Sequence, residues 1–454
     1  MKKVLFIELN SSWSHTMLSL YYMRALLPDG GEIVGYTLKD DPRKVCAELL
    51  ARDEDVLCFA VYIWNSGYLA ELIAMIRSGG FAGTLVLGGP EAPALYARLG
   101  ETERCHVVCG PGEGAFCELA ERDFDAPYGL ISRENIPLKD LSFPYRVEDL
   151  SRLSGKLVYY ETSRGCPFGC VYCLSSSDER NERRFDLRRI EDEQRLLTEL
   201  DALVALKPRT LKFVDRSFNT DKALAHRIWR YFLEQKDACV SHYEIYPDLL
   251  TDTDIDLLRD APAGKIRFEV GIQTTNPVSM QQSRRISDWN KAKRMLQRLR
   301  RETEVIVHAD LLIGLPGDDK GSVLNSLDEL MQTLPHELQL GLLKILPDTP
   351  MQEIAKSRGY RHEPEPPYAV ISSDKLKEEE VRYLTGLAQT LNLYYNKGEF
   401  CPEWQELLTR EPAHAVLDRL YRRHREEGIA LHSMEKHARR EMFYEIALGT
   451  ELEK

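Results

Sequence analysis

The chain has 454 residues, 43% of them hydrophobic and 29% charged, with a formal net charge of −12. That length supports about two to four domains with substantial cores. The acidic balance excludes a chain built mainly to coat nucleic acid, although a local basic patch could still bind it.

The apolar part of MKKVLFIEL is too short for an export signal and reads as a strand. No run of about 18 apolar residues suggests a membrane span. Ten cysteines without an export signal point to reduced thiols in the cytoplasm, used for metal binding or burial. VLFIEL (4–9), DVLCFAVYIWN (55–65), TLVLGGPEAP (84–93) and HVVCGPGEGAFCELA (106–120) are apolar strands or strand–turn–helix units with helical stretches between them. This alternation predicts a parallel sheet covered on both faces, with a ligand at the carboxyl ends of the strands. Those ends carry Asn10–His15, Tyr62–Asn65, Gly88–Glu91 and Gly110–Gly114.

Residues 126–155 read as a linker of scattered proline, glycine and charge. From 156 to about 355 the alternation resumes with KLVYYETS, TLKFVD, SHYEIY, KIRFEVGIQ, EVIVHADLLIG and QLGLLKIL. Six strand–helix units predict a partial parallel barrel of the (β/α)6 type, again with its site at the carboxyl ends. Residues 356–454 read as a mostly helical, amphipathic region beginning around EPEPPY. The expected fold class is α/β: a doubly wound, flavodoxin- or Rossmann-like domain over 1–125, the linker, the barrel, and the helical C-terminal region.

ETSRGCPFGCVYC (161–173) follows the first barrel strand and offers Cys166, Cys170 and Cys173. A zinc site would need a fourth ligand from elsewhere. Inert buried cysteines would not usually bunch in a loop shaped by two glycines and a proline. Such a turn can aim three thiolates at one iron–sulfur cluster, leaving one iron open to a substrate or cofactor. Tyr172 is suitably placed to lie beside that cofactor.

The spacing and position of these cysteines resemble the radical SAM superfamily. The resemblance implies a [4Fe-4S] cluster whose open iron is chelated by S-adenosylmethionine, and cleavage to a 5′-deoxyadenosyl radical. VDRSFN (214–219) resembles a second-strand motif of that superfamily. YEIYPD, FEVGIQTTNP, SRRI and HADLLIGLPGD are similar, in order, to motifs of the branch that includes the oxygen-independent coproporphyrinogen oxidases. Carried over, Glu244, Gln273, Arg285 and Asp310 are expected to contact S-adenosylmethionine. Gly314 and Leu315 are expected in a loop near its adenine.

The first domain resembles the cobalamin-binding domain that precedes the radical domain in many members. The implied site is Ser11, Ser12, His15, Tyr62, Trp64, Asn65, Gly88, Gly89, Pro90, Glu91, Gly112 and Glu113; the alternative is a flavodoxin-like sheet with no ligand. Domains that bind cobalt through histidine carry Asp-x-His-x-x-Gly, and this chain lacks both the Asp and the Gly around His15. His15 is therefore expected as a hydrogen-bonding loop residue, with cobalt ligation the alternative.

The implied function is a cobalamin-dependent radical SAM enzyme, methylating an unactivated carbon or a phosphorus centre. Rearrangement, cyclisation or sulfur insertion, and a corrinoid-binding sensor or carrier without radical chemistry, stay open. Implied partners are a small-molecule or peptide substrate and a reducing protein such as flavodoxin or ferredoxin. The basic stretch Arg284–Arg301 reads as a solvated barrel helix, with RNA contact as the sharper alternative.

Overall fold

A computed structural model describes all residues except 1, 29, 101–103, 178–180, 236–237, 433 and 450–454. The chain divides into two compact units: Met1–Arg164 with Glu182–Val214 and Asp237–Cys239, and Gly165–Asn181 with Asp215–Lys236 and Val240–Lys454.

The first unit is built on six strands: β1 (Val4–Asn10), β2 (Glu32–Thr37), β3 (Val56–Ala60), β4 (Thr84–Gly88), β5 (Cys105–Val108) and β6 (Gly129–Ile131). They pair in parallel in the order β2-β1-β3-β4-β5-β6. All seven residues of β1 are buried, as a central parallel strand requires. The order reverses direction between β1 and β3, the flavodoxin-like pattern, which opens a crevice at the carboxyl ends.

Two strands depart from the sequence reading. Edge strand β2 buries only Ile33 fully, so it shows no apolar run. Strand β6, three residues long, lies inside the stretch read as a linker and closes the opposite edge. The same unit holds β7 (Leu157–Tyr160), the short strands β8 (Ser163–Arg164) and β9 (Glu182–Arg183), and β10 (Thr210–Phe213). β7 pairs with β10 in parallel, and β8 with β9 antiparallel.

Polar groups inside this unit tie the loops at the carboxyl ends. The Glu8 carboxylate, fully buried in β1, accepts from the Met17 amide at 2.7 Å, and burial raises its pKa. Asn65 accepts from the Tyr62 amide at 2.8 Å and donates to the carbonyls of Leu9 (3.2 Å) and Ala60 (3.0 Å). Each buried group left without a partner costs about 1–3 kcal/mol. Asn65→Ala is therefore expected to destabilise the chain by about 3 kcal/mol or more, measured by urea unfolding. A change below about 0.5 kcal/mol, typical of neutral surface positions, would contradict this.

The second unit contains β11 (Val240–Ile245), β12 (Ile266–Gln273), β13 (Ile306–Ile313) and β14 (Glu337–Leu342), parallel neighbours in sequence order. Burial alternates along β11 and β13, so one face is buried and the other carries His242, Glu244, His308 and Asp310. The outer edge of β14 is covered: the Asn396 side chain accepts from the Leu338 amide and donates to its carbonyl, both at 2.9 Å. A small antiparallel pair, β15 (Arg361–His362) and β16 (Val370–Ser372), follows. The helices Glu378–Tyr394, Cys401–Arg410, Ala413–Glu427 and Lys436–Phe443 complete the unit. Among the described residues, no helix is long and apolar enough to cross a membrane.

His336, just before β14, adds a pH-sensitive contact. Its Nδ1 accepts from the Val307 amide at 3.1 Å, which requires that nitrogen unprotonated. Burial, with Arg300 and Arg267 nearby, lowers its pKa to about 4. The unfolded chain, with a histidine pKa of about 6.5, binds the extra proton first, so stability is lost as pH falls from about 6.5 towards 4. The urea midpoint is expected to drop between pH 7 and pH 5, and His336→Gln to flatten that dependence. An equal slope in both proteins would refute the assignment.

Candidate active site

Cys166, Cys170 and Cys173 line one cavity of about 180 Å³ in the second unit. Their loop is held by backbone bonds from the Val171 amide to the Ser283 carbonyl (3.1 Å) and from the Met351 amide to the Val171 carbonyl (2.9 Å). The Ser176 hydroxyl interacts with the carbonyls of Cys170 (2.8 Å) and Cys173 (2.6 Å). Gly165, at φ +87°, takes the left-handed turn into the loop. Burial pushes the Cys166 thiol up, and cysteine neighbours add to this. Metal binding would offset that cost, because the thiolate is the ligand.

Among the described residues, no set of three His, Cys, Asp or Glu side chains gathers about a single ion. A cubane takes one thiolate per iron. Three cysteines lining one cavity would suit three irons of a cluster.

The same cavity is walled by Tyr172, Glu244, Gln273, Arg285 and Asp310, so the structure brings the five expected residues together with the cysteines. The Arg285 guanidinium lies 4.0 Å from Cys170 Sγ and 3.4 Å from Tyr246 Oη, and donates to the Gly271 carbonyl. It also sits over the Tyr246 ring, 5.0 Å from the centroid. Arg285 Nε and Gln273 Oε1 are buried without a protein partner. Gln273 is held at φ +70°, and a Cβ on Gly271 would lie 2.4 Å from its Nε2. A backbone strained at this position, beside two orphaned polar atoms, is the signature of a ligand site.

Glu244 lies 3.3 Å from Arg216 and raises the pKa of that guanidinium. Behind Asp310, His308 bridges Asp310 (3.2 Å) and Glu337 (3.4 Å), while His242 approaches Glu269 at 3.2 Å. Asp310 is the main cause of a raised His308 pKa.

Arg216, Tyr246, Phe168 and Glu269 also line the cavity and were not singled out from the sequence. Glu269 shares a strand face with Gly271 and Gln273 by the period of two, a signal that could have found it. Leu315 and Gly314 stand apart from the lining. Leu315 is fully buried in a cluster with Val171, Leu343, Ile345 and Met351, and Gly314 packs where a Cβ would meet Val370 at 2.8 Å. Leu315 thus packs with Val171 of the cysteine loop.

The first unit has its own cavity of about 240 Å³ at the carboxyl ends of β3–β5. Gly88, Gly89, Gly112 and Glu113 line it as expected, joined by Ser19, Cys58, Ala60, Gly110 and Arg164. Gly89 has φ +102°, and a Cβ there would lie 2.6 Å from the Val61 carbonyl oxygen. Glu113 Oε1 meets Arg164 at 2.9 Å, while its buried Oε2 has no protein partner.

Ser11, Ser12, His15, Tyr62, Trp64 and Pro90 are not in that lining. Trp64, 49% exposed, stacks on Tyr62 with centroids 4.2 Å apart. Asn65 is consumed by backbone bonds, and buried Glu91 lies 3.4 Å from Arg98. His15 Nδ1 lies 2.7 Å from Tyr159 Oη. Burial, with Lys212 and Arg209, lowers the His15 pKa. Its hydrogen-bond partner is thus a tyrosine of β7 rather than the aspartate of the histidine-ligating motif.

Comparison with known families gives a match of residues 160–330 to the radical SAM superfamily. That match takes in the cysteine loop and the strands that line its cavity. Residues 356–449 match a second family, described as a protein of unknown function (DUF4080). Two curated relatives cover 68% of this chain. The 2-(S-pantetheinyl)-carbapenam-3-carboxylate methyltransferase of Streptantibioticus cattleyicolor is 24% identical. The cobalamin-dependent radical SAM methyltransferase TokK of Streptomyces tokunonensis is 25% identical.

The chain spans about half the length of these relatives, 49% of each. Among solved structures, TsrM from Kitasatospora setae, with cobalamin and a [4Fe-4S] cluster bound, superposes with a TM-score of 0.61 at 19% identity, over 81% of this chain and 78% of that one. The cobalamin-dependent enzyme OxsB superposes with a TM-score of 0.68 at 11% identity, over 98% and 79%. These two likenesses establish a shared fold.

Proposed function

We propose that this chain is a cobalamin-dependent radical SAM methyltransferase acting on an unactivated carbon or phosphorus centre of a small molecule or peptide. The observation that carries this reading is the convergence of three cysteines, Arg285 and Gln273 on one cavity, with two buried polar atoms lacking protein partners. The curated relatives, methyltransferases by name, support the reaction class.

The donor set fits the groups involved. Three thiolates suit three irons of a [4Fe-4S] cluster. Arg285 offers a planar fork for a carboxylate, while Glu244 and Asp310 offer acceptors for ammonium and hydroxyl groups of S-adenosylmethionine. In the first unit, the glycine-walled cavity and the orphaned Glu113 oxygen suit an amide-fringed corrinoid. When bound, these groups supply a 5′-deoxyadenosyl radical and a transferable methyl group. The chain itself holds them, orients them and keeps water from the reacting atoms.

The test is anaerobic incubation of the iron-loaded protein with S-adenosylmethionine and dithionite. Formation of 5′-deoxyadenosine is the expected result. A protein with a full complement of iron that forms none would refute the enzyme reading.

A further inference from the structure

We infer that the loop 284–288 and the first half of the helix Trp289–Glu302 form the docking surface for an acidic one-electron carrier protein of flavodoxin or ferredoxin type. This rests on the radical SAM reading, in which one electron must leave a reduced carrier and enter the oxidised cluster.

Three observations converge on this face. The first is position. The Ser283 carbonyl accepts from the Val171 amide inside the cysteine loop, and buried Arg285 approaches Cys170 Sγ at 4.0 Å. The backbone then surfaces beside that loop.

The second is apolar exposure. Ile286 is 71% exposed and Val278, on the preceding short helix, is 52% exposed. Large aliphatic side chains presented to solvent beside a buried site suit a contact surface.

The third is charge. The chain carries a net −12, yet Arg284, Lys291, Lys293 and Arg294 fall together between 284 and 294, against one acidic residue there, Asp288, whose amide donates to Asp248; Lys293 Nζ lies 6.0 Å from the Trp289 ring centroid. Farther along the same helix, Arg298 is neutralised by Asp252 and Glu302. The buried side of the helix is apolar, formed by Ala292, Met295, Leu296 and Leu299, so the cations are carried on the solvent side and its flanks. A basic patch on an acidic protein steers an acidic partner and sets its orientation. Exposed aliphatic residues close in the chain to such cations suit a transient protein interface.

The experiment compares two reductants on the cluster- and corrinoid-loaded protein. Turnover to 5′-deoxyadenosine is driven either by dithionite or by an acidic flavodoxin with its reductase and NADPH. Binding of the flavodoxin is measured separately by interferometry at several salt concentrations. The variants are the charge reversal Lys291→Glu/Arg294→Glu and, independently, Ile286→Ser.

The expected result is a fall of about tenfold or more in flavodoxin-driven rate and in affinity, with the dithionite-driven rate within about twofold of the parent. The parent's binding should weaken with salt. Flavodoxin-driven rates equal to the parent's would overturn the docking inference alone. So would equal losses under both reductants, or a charge reversal that abolishes binding to single-stranded RNA while leaving the flavodoxin-driven rate intact. No cleavage by the parent under either reductant would withdraw the enzyme reading and this inference together.

Discussion

Replacing Cys170 with Ala is expected to remove iron from the protein and 5′-deoxyadenosine from its products. Cys170 is buried at 4% exposure, and its loop is pinned by backbone bonds. A cluster held by three thiolates has no ligand to spare. Loss of an outer-shell partner already costs about 10–100-fold in metal affinity or activity, and loss of a direct ligand exceeds that. Iron content and 5′-deoxyadenosine should both fall to background, while far-ultraviolet circular dichroism stays unchanged. Cys166→Ala and Cys173→Ala should behave alike. Normal turnover in any one of the three would remove the assignment.

Arg285→Met is expected to separate the cofactor from the cluster. Arg285 is not an iron ligand, so iron and visible absorption should persist. Its fork, however, is held by the Gly271 carbonyl, the Tyr246 ring and Cys170 beside a cavity it helps to line. Truncating one partner of a buried charged contact costs about 2–5 kcal/mol, so the Kd for S-adenosylmethionine should rise about 30-fold or more. Arg285→Lys keeps the charge but loses the planar fork, and should restore only part of the affinity. Equilibrium dialysis reads both. Unchanged affinity in Arg285→Met would show that the guanidinium serves only to pack the cysteine loop.

Much of this was legible in the sequence. The apolar runs of β1, β3, β4 and β5 are buried on both faces, and continuous burial leaves a continuous apolar signature. The strands β11, β12 and β13 were also legible, and Glu244, Gln273 and Asp310, named from the motif resemblance, fall on their less buried face. What escaped had weaker physical marks. Strand β2 is an edge strand with a single fully buried side chain, and β6 is too short for any pattern. Arg216 lies inside the motif VDRSFN just past the end of β10, but no spacing set it apart from its neighbours there.

In the first unit the expected loop residues divided. The glycines and Glu113 wall the cavity, because glycine leaves room for a ligand. Asn65 and Glu91 instead serve the backbone and Arg98. Their roles depend on which carbonyls and guanidinium come near in the fold, and one-dimensional order does not carry that. Cys58, in the apolar run of β3, is both buried and part of the cavity wall.

Corrinoid retention tests most directly whether one chain holds cobalamin as well as an iron–sulfur cluster. The protein would be reconstituted anaerobically with iron, sulfide and hydroxocobalamin, desalted, and its visible spectrum recorded. The expected result is near-stoichiometric cobalamin absorption alongside that of the iron–sulfur cluster. Cluster absorption with no retained corrinoid would contradict two-cofactor binding: methyl transfer through cobalt would be withdrawn, and the glycine-walled cavity of the first unit would need another ligand.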